Sequence, residues 1–215
     1  MCDYKFGEIN TNPEDQSSQS REFINRIRSS LHKNPGRRAS KPQLTRLPKA
    51  AVCMILRQNK SADALDVLLV KRRVLESDPW SGHMAFPGGR SKESDGDPLN
   101  TAKREVEEET GIDIGSCELL GTLDDTFPGN KSVCVIPFVL LAKESTEVRI
   151  DANEITDHVW IPVDFFIERS NSSKLTVKRY GVDQVVTSYN YKESYIIWGM
   201  TLRLIDDFIS KILEK

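Results

Sequence analysis

Apolar residues change period several times along this chain, and each change marks an element. Phe23, Ile24, Ile27 and Leu31 fall on one stripe beside Arg21, Arg26 and Arg28, which predicts an amphipathic helix over about Ser20–Lys33. The runs Ala50–Leu56 and Leu65–Val70 are continuously apolar on either side of a polar turn at Asn59-Lys60-Ser61, the pattern of central strands covered on both faces. Ala85-Phe86-Pro87-Gly88-Gly89 reads as a strand running into a tight turn. A helix follows from Pro98 to Thr110, with Leu99, Ala102 and Val106 as its buried stripe and Lys103 and Glu107 toward water. Further strands are expected over Cys117–Leu123 and Ser132–Leu141, separated by a loop from Asp124 to Asn130, and around Val159-Trp160-Ile161. Val163–Arg169 reads as a short helix. Tyr195–Leu213 reads as a longer one whose apolar face carries Ile197, Met200, Leu204, Ile205, Phe208 and Ile212. Strands and helices in this order predict an α/β protein, an α/β/α sandwich on a mixed sheet preceded by an N-terminal helix and tail.

The first 45 residues stand apart in composition. Residues 1 to about 17 are polar, and Asn34 to Pro42 is a basic, breaker-rich linker that reads as a solvated connector or, less simply, a phosphate contact. The main domain is therefore expected over residues 46–215. With 30 basic and 32 acidic residues the net charge is −2, so no global field favours nucleic acid, and no apolar run is long enough to span a membrane. Cys2, Cys53, Cys117 and Cys134 form no CxxC pair, which suggests packed or free thiols rather than a zinc site or a disulfide framework. The beginning of the chain lacks both a secretory apolar core and the acid-poor character of a transit peptide, so the cytoplasm is the expected compartment.

Candidate chemistry concentrates between Gly88 and Ile112. Asp97 is placed as an N-cap, Pro98 as the first helical residue and Gly111 as a left-handed C-terminal cap. Glu105, Glu108 and Glu109 then stand at i, i+3 and i+4 and project from one face, where they repel one another. A hard cation such as Mg²⁺, which takes carboxylate oxygens together with phosphate oxygens, would relieve that repulsion. A bare charged helix supported by pairs such as Arg104 with Glu108 accounts for the acidic run alone. It does not account for the glycine turn, the Asp-Pro start and the Gly-Ile end together.

These residues resemble the signature of the Nudix hydrolases, G-x5-E-x7-R-E-U-x-E-E-x-G-U with U a bulky aliphatic residue. Arg104 to Ile112 matches at every fixed position, whereas the first half carries one extra residue after Gly89, so that the signature's glutamate falls on Gly96. In the branch resembling coenzyme A pyrophosphatases an acidic residue takes that place, here Asp95 or Asp97. Leu68-Leu69-Val70-Lys71-Arg72, Gly82 to Gly89, Val135 to Val139 and Ile197 to Thr201 are similar to other segments of that branch. Where its upstream motif has an arginine, this chain has Asp78.

The resemblance implies the sandwich fold over residues 46–215 and metal-dependent hydrolysis of a phosphoanhydride in a nucleoside diphosphate joined to a second group. Coenzyme A or its derivatives are the leading substrates, with ADP-ribose or NADH as alternatives. It implies Mg²⁺ or Mn²⁺ held by Glu105, Glu108 and Glu109 with the Gly89 carbonyl, and Arg104 orienting a carboxylate by a forked, charge-assisted hydrogen bond. Glu105 and Glu154 are both open as the general base. Lys71, Arg72, Arg73, Arg90 and His83 are the candidates for holding substrate; His158 is a weaker one, and Trp80 and Trp198 are assigned to packing ahead of base stacking. The partner is a small nucleotide, without nucleic acid or membrane, and a homodimer is compatible with the pattern. A rival class is a module that senses a nucleotide without turning it over.

Overall fold

The computed structural model describes residues 13–41, 46–59, 64–74, 82–179 and 181–213; Cys2, Lys60, Ser61, Asp78 and Trp80 lie outside them. Among the described residues, seven strands form a mixed sheet. Strand β1 (Lys49–Gln58) runs parallel to β6 (Cys134–Leu141) along Lys49–Leu56 and antiparallel to β2 (Leu65–Arg72) only over Leu56–Gln58. Strand β7 (Ile155–Pro162) pairs with the other side of β2, and β5 (Glu118–Thr122) with the other side of β6. Where β1 and β2 diverge, two short strands take their free edges: β3 (Met84–Ala85) pairs with Val70 and Lys71, and β4 (Gly88–Arg90) with Ala50 to Val52. That divergence brings the glycine pair into the middle of the sheet, where Gly88 and Gly89 belong to a paired strand rather than to the tight turn expected of them.

The continuous apolar runs have the predicted consequence. Ala50, Val52, Met54 and Leu56 point into one core, and Ala51, Cys53 and Ile55 into another. The first core is covered by α1 (Pro13–Lys33), through Ile24, Ile27 and Leu31, and by α4 (Gly199–Leu213), through Leu204, Ile205, Phe208 and Ile212. The second is covered by α2 (Pro98–Thr110), through Ala102 and Val106. Each of the larger side chains among them (Val, Leu, Ile, Met, Phe) contributes about 1.5–3 kcal/mol when fully buried. Helices thus lie on both faces of the mixed sheet, and the expected α/β/α sandwich is present.

Five details differ from the pattern reading. Helix α1 starts at Pro13, ahead of its apolar stripe, because a polar turn can extend a helix that its later residues anchor. Leu99 is exposed, and Thr101, nearly opposite it around the helix, is the buried residue of the first turn. Tyr195–Trp198 is not helical but a strand, β10, paired with Ser188–Tyr191, and Gly199 at φ +67° makes the change into α4. Its partner β9 (Val182–Tyr191) forms with β8 (Ser172–Arg179) a hairpin that the pattern did not signal. Most side chains of that hairpin are exposed, so they carry no strong hydrophobic alternation. The short helix α3 covers Val163–Ile167, as expected, and stops two residues early.

The basic linker is tethered to the loop after β5. Arg37 meets Asp124 at 2.5 Å and Arg38 meets Asp125 at 2.5 Å, while Lys211 of α4 reaches Asp124 from the other side at 3.1 Å. Cys53, Cys117 and Cys134 are free thiols. Among the described residues no helix is long and apolar enough to cross a membrane.

Candidate active site

Both ends of α2 are fixed by the residues that the sequence placed there. The Asp97 carboxylate accepts the N–H groups of Leu99 at 2.8 Å and Asn100 at 2.9 Å, and Pro98 opens the helix where no intrahelical donor is missed. Gly111, at φ +67°, donates its N–H to the Glu107 carbonyl at 2.9 Å and ends it. Between these caps, Glu105 and Glu109 face β4. A side chain at Gly88 would collide with the Ala51 carbonyl, and one at Gly89 with the Glu105 carboxylate, so the glycine pair lets β4 fit between β1 and α2.

Glu109 is 2% exposed and accepts the Gly88 N–H at 2.8 Å. Burial pushes its carboxyl up to about 7; the Gly88 N–H and Arg72, whose guanidinium is 3.8 Å away, pull it down, and the charges of Glu105 and Glu154 push it up again. Arg104 donates to Glu105 at 2.5 Å and to Glu108 at 3.1 Å, so one guanidinium nitrogen serves two of the three carboxylates. Its remaining donors are taken by Asp95, through Nε and Nη2 at 2.9 Å each, and by the Arg90 carbonyl at 3.2 Å. Asp95 also accepts from the Lys92 N–H and the Thr101 hydroxyl; chiefly because of Arg104, its carboxyl is held well below the usual carboxylate range. Of the two acidic residues open for the partner role, Asp95 therefore grips Arg104, and Asp97 caps the helix.

A cavity of about 820 Å³ adjoins this arrangement. Glu105, Glu109, Glu154, Gly88 and Gly89 line its acidic side together with Arg72, Arg90 and His83. Met200, Leu202 and Leu204 of α4, Val135 of β6, and Val186 and Thr187 of β9 line the side opposite in character, apolar with a hydroxyl rim. His83 meets Trp198 edge to face, with ring centroids 4.9 Å apart, and both line the cavity.

Not every expected residue converges there. Glu108, half exposed, and Arg104 lie outside the lining, as do Lys71, Arg73 and His158. Arg73 instead donates to the Ala152 carbonyl at 3.4 Å, and its N–H bonds to the Glu154 carbonyl at 2.8 Å. Among the described residues no three acidic, His or Cys side chains close on a single point. The sequence reading missed Arg203, which lines the cavity and donates to the Phe127 carbonyl at 2.6 Å. It also missed Val186 and Thr187, since the strand that carries them was unforeseen. The signal for Arg203 was weak, because it is one of several charged residues, with Asp206, Asp207 and Lys211, set between the apolar positions of that helix.

Comparison with known proteins agrees with this geometry. The NUDIX domain model matches residues 47–179. The Arabidopsis thaliana protein named Nudix hydrolase 22, chloroplastic, is 31% identical over 169 residues, covering 76% of this chain and 55% of the relative. A Mus musculus protein named peroxisomal coenzyme A diphosphatase is 27% identical over 139 residues, covering 62% of this chain and 58% of the relative. The chain thus spans a little over half the length of these two curated relatives. A solved MutT/nudix family protein from Enterococcus faecalis superposes with a TM-score of 0.53 at 17% identity, over 97% of this chain and 76% of that one, a likeness of fold alone. With a domain match that runs over more than half of its length and encloses both the glycine pair and the carboxylate helix, the chain belongs to the Nudix family.

Proposed function

We propose that this protein hydrolyses a phosphoanhydride in a nucleoside diphosphate linked to a second group, with coenzyme A or a derivative as the leading substrate. The observation that carries this reading is the cavity itself, which joins a side formed by Glu105, Glu109, Glu154, Arg72 and Arg90 to a largely apolar side on α4, where Arg203 and Asp206 also reach it. The first suits a diphosphate with its counter-ions, and the second suits a long, weakly polar attached group. The mouse relative named as a coenzyme A diphosphatase supports the choice of that group.

The donor types suit Mg²⁺ or Mn²⁺, which take one or two carboxylates together with water and substrate phosphate oxygens and need no closed cage of protein ligands. Glu105 and Glu108 share one cationic nitrogen of Arg104, and Glu109 is buried with the Arg72 guanidinium 3.8 Å away, so this face carries more carboxyl groups than nearby cations. Glu105, Glu108, Glu109 and the Gly89 carbonyl would hold the ion, which when bound would neutralise charge on the phosphoryl oxygens and acidify water.

The remaining work falls to the chain's own groups. Arg72 and Arg90, which line the cavity, bind substrate phosphate, and His83 flanks them. Glu105 is engaged by Arg104 and packed on Gly89, whereas the Glu154 carboxylate faces the cavity from an exposed turn. Glu154 is therefore the better placed of the two to take a proton from the attacking water. Lys71 and Arg73 lie outside the cavity lining and leave the phosphate-binding role to Arg72 and Arg90.

Incubation with Mg²⁺ or Mn²⁺ and a panel of coenzyme A, dephospho-coenzyme A, ADP-ribose, NADH and dNTPs tests this. Coenzyme A should be cleaved between its two bridging phosphates. Faster turnover of ADP-ribose or NADH would change the second group, and binding without turnover of any compound would favour a sensing module. Asp78 also enters here as a charge: Asp78→Arg should raise kcat/KM for coenzyme A more than for its dephospho form.

A further inference from the structure

The turn before β7 carries Glu154, and its construction centres on Asp151. The Asp151 carbonyl accepts the N–H groups of Glu154 at 3.1 Å and Ile155 at 2.9 Å, while its carboxylate accepts both the backbone and side-chain N–H groups of Asn153 at 2.9 Å. The same residue donates its own N–H to the Glu109 carbonyl at 3.1 Å, and Arg149 donates to the Thr110 carbonyl at 2.8 Å. These are last-turn carbonyls of α2, which have no partner within the helix. The far side of the turn is tied to the end of β2 by the two bonds from Arg73.

We infer that Asp151 is a positioning residue for the proposed hydrolysis: its side chain shapes the turn and its backbone fastens that turn to α2, so that the Glu154 carboxylate is held at a fixed place relative to Glu105 and Glu109. Two independent observations meet here. The carboxylate helix and the Glu154 turn come from segments more than 40 residues apart and are joined directly through Asp151, and the side chains that they carry line one cavity. Were the turn held only by its entry into β7, residues 151–154 would have no bond to α2. Misplacement of a reacting group by about 1 Å can cost on the order of 100-fold in rate, so a loosened turn acts on kcat before it acts on folding.

This inference rests on the proposed function, and the test separates the two. Wild type, Asp151→Ala, Asp151→Asn, Glu154→Gln and the Asp151→Ala/Glu154→Gln double variant are assayed with coenzyme A and Mg²⁺, with amide hydrogen exchange followed over 151–155. Asp151→Ala should lower kcat on the order of tenfold with KM within about twofold, and speed exchange at Glu154 and Ile155 while β7 beyond them is unchanged. Asparagine keeps an acceptor oxygen for Asn153, so Asp151→Asn should restore most of the rate. The double variant should be no slower than Glu154→Gln alone, since Asp151 acts through Glu154. Unchanged kcat in Asp151→Ala, additive losses in the double variant, or an Asp151→Asn as slow as the alanine variant would each overturn the inference alone. A wild-type chain inactive on coenzyme A and on the rest of the panel would overturn the proposed function and this inference with it.

Discussion

The two walls of the cavity are built by different physics. On the acidic side, the carboxylates of α2 are placed by directional bonds: Glu109 by the Gly88 N–H, Glu105 by Arg104, and Arg104 in turn by Asp95. On the apolar side, α4 is placed chiefly by burial, with Leu202, Leu204, Ile205, Phe208 and Ile212 in the core, and polar ties such as the Thr201 hydroxyl to the Met84 carbonyl at 2.9 Å and Lys211 to Asp124 at 3.1 Å add to it. Burial is favourable wherever apolar area leaves water, so that wall contributes to stability. Gathering like charges beside one another is unfavourable until something binds them, so the acidic wall is where stability is given up for chemistry.

The largest effect should come from the apolar wall. Phe208 is 1% exposed in the middle of α4 and does not line the cavity. Phe208→Ala should cost about 3–5 kcal/mol of folding stability in denaturant titration. The folded fraction should keep its kcat, since no bond to the acidic wall is touched. A loss of kcat matching the loss of stability would show that the two walls are not separable in this way.

On the acidic wall the signs should reverse. Glu109→Gln keeps an oxygen for the Gly88 N–H but removes the buried charge, so activity should fall on the order of 100-fold, as when a major electrostatic contributor is removed. The metal-free protein should become more stable. Burial raises the Glu109 carboxyl from its ordinary 4.5 to about 7, so its contribution to stability is fully present below about 4.5 and is lost as pH rises through 7. The advantage of glutamine, read as the difference in Tm in EDTA, should therefore grow between pH 5 and pH 8. A variant less stable than wild type at pH 8 would mean that Arg72 already compensates the charge.

The acidic wall was also the more legible of the two, and for the same reason. Caps and charge spacing act within a few residues of the positions that they define, so α2 was readable from Asp97 to Gly111; that the glycine pair needs close backbone approach was also readable, though not that it is a strand packed between β1 and α2. The apolar wall depends on partners far away in sequence. Ile197 continues the helical spacing of Met200 and Leu204, and only pairing with β9 makes Tyr195–Trp198 a strand. The β8–β9 hairpin leaves Val182 and Val185 exposed and gave no alternation to read. Glu154 and His83 were nameable as candidates, yet that they share a cavity with Glu109 is a property of the sheet's divergence between β1 and β2 and could not be read from spacing.

The smallest effect should distinguish two aspartates that sequence left equivalent. Asp97 accepts two first-turn N–H groups of α2 and touches neither Arg104 nor the glutamates, so its role ends at the helix start. Asp97→Ala should cost about 1 kcal/mol of stability, the usual value of an N-cap, and Asp97→Ser should recover most of it. Its kcat should stay within about twofold of wild type, because Glu105 and Glu109 are two and three turns further along the helix. Asp95→Ala removes both bonds of the Arg104 fork and leaves the cap in place. Arg104 would then be free to swing from Glu105 and Glu108, and kcat should fall on the order of tenfold as the carboxylates lose their fixed placing. Should Asp97→Ala prove the slower enzyme and Asp95→Ala the silent one, the division between a residue that starts the helix and one that sets its chemistry would have to be reversed.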